Sequence, residues 1–177
     1  GTCTYEKTFP MPVFGQDQRV YLEFAGVNAS ADVVLNGQSI LHHDGGYSTF
    51  RCDITDVLQP ENKLSVAADN SVNDRVYPQK ADFTFYGGIY RDVWLITVNK
   101  AHFDMDYYGG PGIAVNAKPI GKDAAVNVRT WHTAENGVVE LKLTDAEGKV
   151  VATGSGTDNE TTMAIENVHL WDGVEDP

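Results

Sequence analysis

From Arg19 to Ala68 the chain repeats hydrophobic and polar residues with a period of two. Val20, Leu22 and Phe24 alternate with Arg19, Tyr21 and Glu23, the pattern of a strand with one buried face. Val33-Val34-Leu35 then runs into Asn36-Gly37. That dipeptide accepts positive φ at both centres of a type I′ turn, which predicts a hairpin returning through Ser39-Ile40-Leu41. Phe50, Cys52 and Ile54 alternate with Thr49, Arg51 and Asp53. A short turn at Asp56-Val57-Leu58 and a break at Pro60-Glu61-Asn62 separate them from a half-buried strand carrying Leu64, Val66 and Ala68. Val93-Trp94-Leu95-Ile96-Thr97-Val98 is near-continuous in apolar residues, which predicts a strand buried on both faces or central in a sandwich. No ten-residue stretch places apolar residues at helical spacing, so the fold class is all-β.

Residues 102–112 are rich in turn formers, and short strands follow at 113–117, 125–131, 138–144, 149–153 and 161–165, with turns at Glu135-Asn136-Gly137 and Asp145-Ala146-Glu147-Gly148. A spacing of about 8 to 12 residues predicts a second sandwich. The expected division is 1–100 and 101–177. The second part has five or six strands where an immunoglobulin-like sandwich has about seven, so it is expected to be incomplete. The chain also starts without Met and stops soon after an apolar stretch, which reads as a piece of something longer.

Between Ser71 and Gly88 the alternation stops, although loops beyond about 12 to 15 residues are uncommon in compact domains unless they are functional or disordered. Composition argues for order here. Tyr77, Pro78, Phe83, Phe85 and Tyr86 are bulky and rigid, and they interleave with Asn73, Asp74, Arg75, Gln79, Lys80 and Asp82. Such mixed aromatic and polar surfaces suit ligands with an apolar face and a hydroxyl rim, and sugars fit that description. The competing reading is that the rings pin the loop onto the sheet.

Charge and composition narrow the function. Of the 177 residues 42% are hydrophobic, enough to bury a core and too many for a disordered chain. Thirteen Lys+Arg against 25 Asp+Glu give a net charge of -12, which repels a phosphate backbone and an anionic bilayer alike. Neither nucleic acid nor membrane is an expected partner. No apolar run is long enough to span a bilayer, and the first residues carry no signal-peptide pattern; a soluble protein is expected, cytoplasmic or periplasmic/secreted. Cys3 and Cys52 match no zinc spacing or CxxC motif, and two small buried thiols are expected.

Most chemical constellations fail on inspection. Gly154-Ser155-Gly156 lacks the five-residue nucleophile elbow and lies between strands. His42 and His43 are adjacent in a strand and so point to opposite faces, which keeps them off one metal ion. Asp104-Met105-Asp106 before Gly109-Gly110 lacks the later acidic ligands of a calcium loop. Gly109-Gly110-Pro111-Gly112 lacks the Lys-Ser/Thr of a phosphate loop. Asn28-Ala29-Ser30 and Asn159-Glu160-Thr161 fit the glycosylation sequon, which matters only in a eukaryotic secretory pathway. No spacing predicts the carboxylate pair, about 5 to 5.5 Å apart, of a retaining glycosidase.

One stretch is more specific. Asp82-Phe83-Thr84-Phe85-Tyr86-Gly87-Gly88-Ile89-Tyr90-Arg91-Asp92-Val93-Trp94-Leu95 resembles the end of the N-terminal sugar-binding domain of glycoside hydrolase family 2, and its β-galactosidases most of all. Tyr5-Glu6-Lys7-Thr8-Phe9, Phe24-Ala25-Gly26-Val27-Asn28, Val34-Leu35-Asn36-Gly37, Gly45-Gly46-Tyr47-Ser48-Thr49-Phe50 and Asp53-Ile54-Thr55 match in the family's order and spacing. Beyond Ala101 the likeness is looser and rests mainly on His169-Leu170-Trp171.

The resemblance implies a jelly-roll (galactose-binding-like) sandwich followed by an immunoglobulin-like sandwich, both preceding a catalytic (β/α)8 barrel that carries the two catalytic glutamates. On that reading no catalytic residue lies in this chain. The resemblance further implies that Asp82 reaches into the barrel's pocket, contacts the glycone of a β-galactoside-like substrate and, in some β-galactosidases, lies at a sodium site; sodium or magnesium would belong to the parent enzyme. A carboxylate suits the task because it accepts two charge-assisted hydroxyl hydrogen bonds. Asn73, Tyr77, Phe83 and Tyr86 are further candidates for substrate contact. Gly87 and Gly88 are expected to release the loop into the strand, and Arg91 to make an ion pair. The family's pocket asparagine precedes the segment matching Gly1, so it is not expected here. The leading expectation is therefore a non-catalytic N-terminal part of a retaining glycosidase with a barrel of the same parent chain as partner, a homo-oligomer, the parent being a β-galactosidase, β-glucuronidase or β-mannosidase. The alternatives are a free-standing carbohydrate module and a structural or oligomerisation sandwich pair.

Overall fold

The computed structural model describes residues 1–171, 173 and 174; positions 172 and 175–177 of the expected second domain lie outside the described residues. Among the described residues fourteen strands and a single 3-10 turn at Thr55–Val57 form the fold, with no α-helix. The strands are β1 (Thr2–Pro10), β2 (Gln18–Phe24), β3 (Val27–Asn28), β4 (Ser30–Leu35), β5 (Gln38–Asp44), β6 (Phe50–Asp53), β7 (Glu61–Asp69), β8 (Gly88–Ile89), β9 (Val93–Asn99), β10 (Ile113–Ile120), β11 (Asp123–Thr130), β12 (Val139–Thr144), β13 (Val150–Gly156) and β14 (Glu160–Ile165). The fold class is all-β, as the alternation predicts.

The first half pairs two antiparallel sheets, ordered β1-β7-β4-β5 and β6-β2-β9, with a two-residue ladder between β3 and β8. Their inner faces carry the predicted alternating residues: Ala31, Val33 and Leu35 from β4 and Leu64, Val66 and Ala68 from β7 meet Val20, Leu22 and Phe24 from β2 and Phe50 from β6. Phe24 stacks on Phe50 with centroids 4.9 Å apart. Burying each Val, Leu or Phe among them stabilises the sandwich by about 1.5–3 kcal/mol. The β4–β5 hairpin turns at Asn36 and Gly37 with φ of 52° and 81°, the positive pair that a type I′ turn demands. A buried amide supports that turn: Asn62, fully buried, donates to Gln59 O (2.8 Å) and accepts from Gln59 N (2.9 Å) and from Asn36 Nδ2 (3.0 Å).

Two expectations need correcting. The 93–98 strand is neither central nor buried on both faces; β9 is an edge strand, with Val93, Trp94 and Leu95 exposed at 38%, 53% and 41%. Val93 and Leu95 sit opposite Phe24 and Leu22 in register, so they line the core side but at its open margin. Cys3 is exposed, because β1 is the edge of the other sheet. Cys52 is half-buried, and desolvation pushes its thiol up to about 12; neither cysteine is in a disulfide.

In the second half β10-β11-β14 faces the hairpin β12-β13. Val126, Val128, Met163 and Ile165 form its core, with Leu141, Leu143 and Ala152 packed against them. The strands fall where the sequence places them. The two halves meet at Arg51, which pairs with Glu23 and donates to Met105 O (3.1 Å) and Gly110 O (2.9 Å). Nearby, the Tyr21 hydroxyl lies 3.3 Å from His102 Nε2.

Candidate functional site

The loop from Asn70 to Gly87 has no strand of its own, so its backbone groups depend on side chains for hydrogen bonds. Asn73 supplies most of them. Its Oδ1 accepts from Arg75 N and Val76 N (2.9 Å each), and its Nδ2 donates to Ser71 O (3.1 Å), an Asx-type turn. Gln79 closes the opposite side: its amide nitrogen donates to Asn73 O and to Val76 O (2.7 Å), and its Oε1 accepts from Asn73 N (3.2 Å). Val76 is buried beneath this lattice. Asn73 is thus a frame of the loop, with its amide already occupied.

A charged node ties the loop to β5. Arg75 Nε meets Asp44 Oδ2 at 2.9 Å, Ser30 Oγ donates to Asp44 Oδ1 at 2.5 Å, and His42 Nε2 lies 3.3 Å from Asp44 while its Nδ1 lies 2.6 Å from Asp32. The Ser30 hydroxyl, with Arg75 and His42 behind it, pulls the Asp44 carboxyl down to about 2. The hydrogen bond to Asp32, then that to Asp44, raises the His42 imidazole above its ordinary value. His43, on the opposite face as predicted, stacks on Phe50 with centroids 4.0 Å apart, and burial lowers its imidazole.

At its far end the loop is anchored by Asn28, whose Nδ2 donates to Tyr86 O at 2.7 Å. Asn28 is buried, which leaves the first sequon's amide engaged inside the protein. Gly87 and Gly88 are required by close approach as much as by freedom. A Cβ on Gly87 would lie 2.5 Å from Asn70 Nδ2, and one on Gly88, at φ +85°, would lie 2.2 Å from the Tyr5 hydroxyl.

This frame leaves the other predicted residues facing solvent. Asp82 is exposed, and Tyr77, Phe83 and Tyr86 are exposed at 74%, 59% and 73%; among the described residues only Phe83 of these rings has an aromatic neighbour, Phe85, at 4.8 Å. The notion that the aromatics pin the loop down therefore fails for Tyr77 and Tyr86, since the amide lattice does that work. Among the described residues no three His, Cys, Asp or Glu side chains come together to hold a metal ion, so a cation at Asp82 would need ligands from outside them. Asp104 instead caps a turn, accepting from Asp106 N at 2.8 Å. Among the described residues Arg91 does not form the expected ion pair; it donates to Ala25 O (3.2 Å) and Tyr47 O (3.1 Å) and lies over the Tyr90 ring. The sequence reading did not find Asp44, Asn28 or Gln79 as supports. Their partners are 31, 58 and 6 residues away, and no local pattern announces such pairs.

The model of the glycosyl hydrolase 2 galactose-binding domain-like family matches residues 2–111. A β-glucuronidase of Bacteroides fragilis is 32% identical over 192 residues, covering 100% of this chain and 28% of that protein. A β-galactosidase of Bacteroides ovatus is 30% identical over 191 residues, covering 97% of this chain and 21% of its own length. The crystal structure of an FMN-binding β-glucuronidase from Faecalibacterium prausnitzii L2-6 superimposes with a TM-score of 0.86 at 39% identity, over 96% of this chain and 28% of that one. The chain thus spans less than a third of the length of these relatives. Among the described residues no helix is long and apolar enough to cross a membrane. With a family model covering well over half its residues, the chain belongs to the galactose-binding domain-like family of glycosyl hydrolase 2.

Proposed function

We propose that this chain is the non-catalytic N-terminal part of a retaining β-glycosidase and that loop 70–87 completes the substrate pocket of a catalytic barrel elsewhere in the parent protein. Residues 1–100 form the sugar-binding-like sandwich, and the strands after residue 101 an immunoglobulin-like sandwich. The substrate is a β-linked galactoside or glucuronide, in keeping with the β-galactosidase and β-glucuronidase relatives. One observation carries the reading: a loop with every sign of being built for order turns a carboxylate and three rings outward. Order without self-burial is what a surface needs when its partner is another molecule or another domain.

In this reading Asp82 accepts hydrogen bonds from two glycone hydroxyls, each charge-assisted bond contributing about 1.5–3 kcal/mol. Tyr77, Phe83 and Tyr86 shield those bonds from water and offer flat faces to the ring. Asn73 acts by holding the loop's shape. The acid/base and nucleophile belong to the barrel, so the 177-residue chain alone turns over no glycoside.

In the intact enzyme, Asp82→Ala is expected to lower kcat/KM on p-nitrophenyl β-glycosides by at least about a hundredfold, from two lost hydrogen bonds. Unchanged kinetics would reject the pocket role and leave a structural sandwich pair. Millimolar-or-tighter binding of galactosides to the isolated chain, centred on the loop, would favour a free-standing carbohydrate module.

A further inference from the structure

Residues 45–49 form a second loop whose backbone is held from several directions. Gly45 N donates to Ala29 O at 2.9 Å, the Tyr90 hydroxyl donates to Gly46 O at 2.5 Å, Arg91 Nη1 donates to Tyr47 O at 3.1 Å, and Ser48 Oγ lies 3.1 Å from His43 Nε2. Gly46 sits so close to Asn28 that a Cβ there would lie 2.5 Å from its Oδ1. The same Asn28 side chain donates to Tyr86 O. One buried asparagine therefore clasps both loops, and the consecutive pair Tyr90-Arg91, just after loop 70–87, captures the consecutive carbonyls of Gly46 and Tyr47. The two loops thus share their supports and pack as one unit around Asn28.

What this unit presents is the Tyr47 ring, 46% exposed. Single exposed aromatics are ordinary on protein surfaces; the difference here is the support. A ring on a loop already fixed by these contacts loses little further freedom on binding, the condition under which a stacking contact adds affinity. The segment Gly-Gly-Tyr-Ser-Thr carries no charge, so it cannot grip a sugar's hydroxyl rim as a carboxylate does. A flat apolar face with a phenol edge suits a flat apolar ligand group.

We infer that loop 45–49 is a second wall of the glycoside pocket, with Tyr47 contacting an aromatic or otherwise flat aglycone and the Tyr90-Arg91 pair positioning it. This rests on the reading that loop 70–87 faces the glycone. Tyr47 is a specificity residue in this account, and Arg91 is a positioning residue that acts through the carbonyl of residue 47.

The test compares a p-nitrophenyl β-glycoside with the methyl β-glycoside of the same sugar, using the intact enzyme. Tyr47→Ala is expected to lower kcat/KM about three- to tenfold on the aryl substrate, mainly through KM, and to leave the methyl substrate within about twofold. Tyr47→Phe keeps the ring and is expected to retain the aryl preference. Arg91→Ala is expected to reduce the aryl-to-methyl ratio in the same direction, whereas a merely structural arginine would depress both substrates equally. The inference is overturned if Tyr47→Ala leaves the ratio at its wild-type value or lowers both substrates alike. Asp82→Ala on the same pair keeps the two claims apart: full activity there sinks the glycone reading itself, while an impaired Asp82→Ala beside an unaffected Tyr47→Ala sinks only the aglycone wall.

Discussion

The first sandwich and loop 70–87 hold their shapes by different means. In the sandwich, Val20, Phe24, Val33 and Leu35 are completely buried, and order follows from apolar area removed from water. The loop buries Val76 and little else; its order comes from Asn73, Gln79, Asn28 and Arg75 bonding to backbone and to Asp44. That difference is why the apolar rings of the loop are available to a partner. A loop held by its own hydrophobic core would have consumed Tyr77 and Tyr86; one held by amides leaves them outside.

Perturbing each side should separate the two. The largest effect is expected from Phe24→Ala, which opens a cavity beside Phe50 and costs about 3–5 kcal/mol, read as a lower urea midpoint for the whole sandwich. Asn62→Ala should follow. It removes a fully buried amide together with its bonds to the Gln59 backbone and to Asn36, costing about 1–3 kcal/mol, again read in urea unfolding. Asn73→Ala removes three hydrogen bonds at the surface; it should leave the global midpoint nearly unchanged while amide exchange within 70–87 accelerates. Equal loss of protection in the sandwich would contradict the separation.

The smallest effect is a pH dependence of the loop anchor. His42 is raised in the folded state, so its contribution is complete below its unfolded value of about 6.5 and fades as pH climbs through the folded value. Asp44 is held at about 2; its contribution is complete above about 3.9 and fades as pH falls toward 2. Loop protection should therefore peak between about pH 4 and pH 6.5 and decline on either side. His43, lowered by burial, works in the opposite sense, adding stability as pH rises from its lowered folded value toward about 6.5 and adding no more above it. Exchange measured at Arg75 and Val76 isolates the anchor from it, and Asp44→Asn should flatten the profile there.

The fold was legible because burial leaves a period in the sequence. Val20, Leu22 and Phe24, or Leu64, Val66 and Ala68, report a one-sided strand without reference to any partner. The rule misled at 93–98, where a run of apolar residues lies at a sheet's margin; composition states what a strand could bury, and topology decides what covers it. Strand β1 is an edge strand exposed along most of its length, with Phe9 packed against the core, so burial leaves only a weak period in it. At the site, Asp82, Tyr77, Phe83 and Tyr86 could be named from their loop and its motif. Asp44, Asn28 and Gln79 could not, since a hydrogen bond between distant residues has no spacing to betray it.

On the proposed function, Asp82 of this chain meets the glycone in a pocket shared with a catalytic barrel. A crystal structure of the intact enzyme with a bound glycone-mimicking inhibitor tests it most directly. An Asp82 carboxylate oxygen is expected within about 3.2 Å of a sugar hydroxyl, with loop 70–87 keeping the hydrogen bonds of Asn73 and Gln79. A sugar bound in the barrel with Asp82 turned to solvent, beyond the reach of a hydrogen bond or a bridging water, would contradict it.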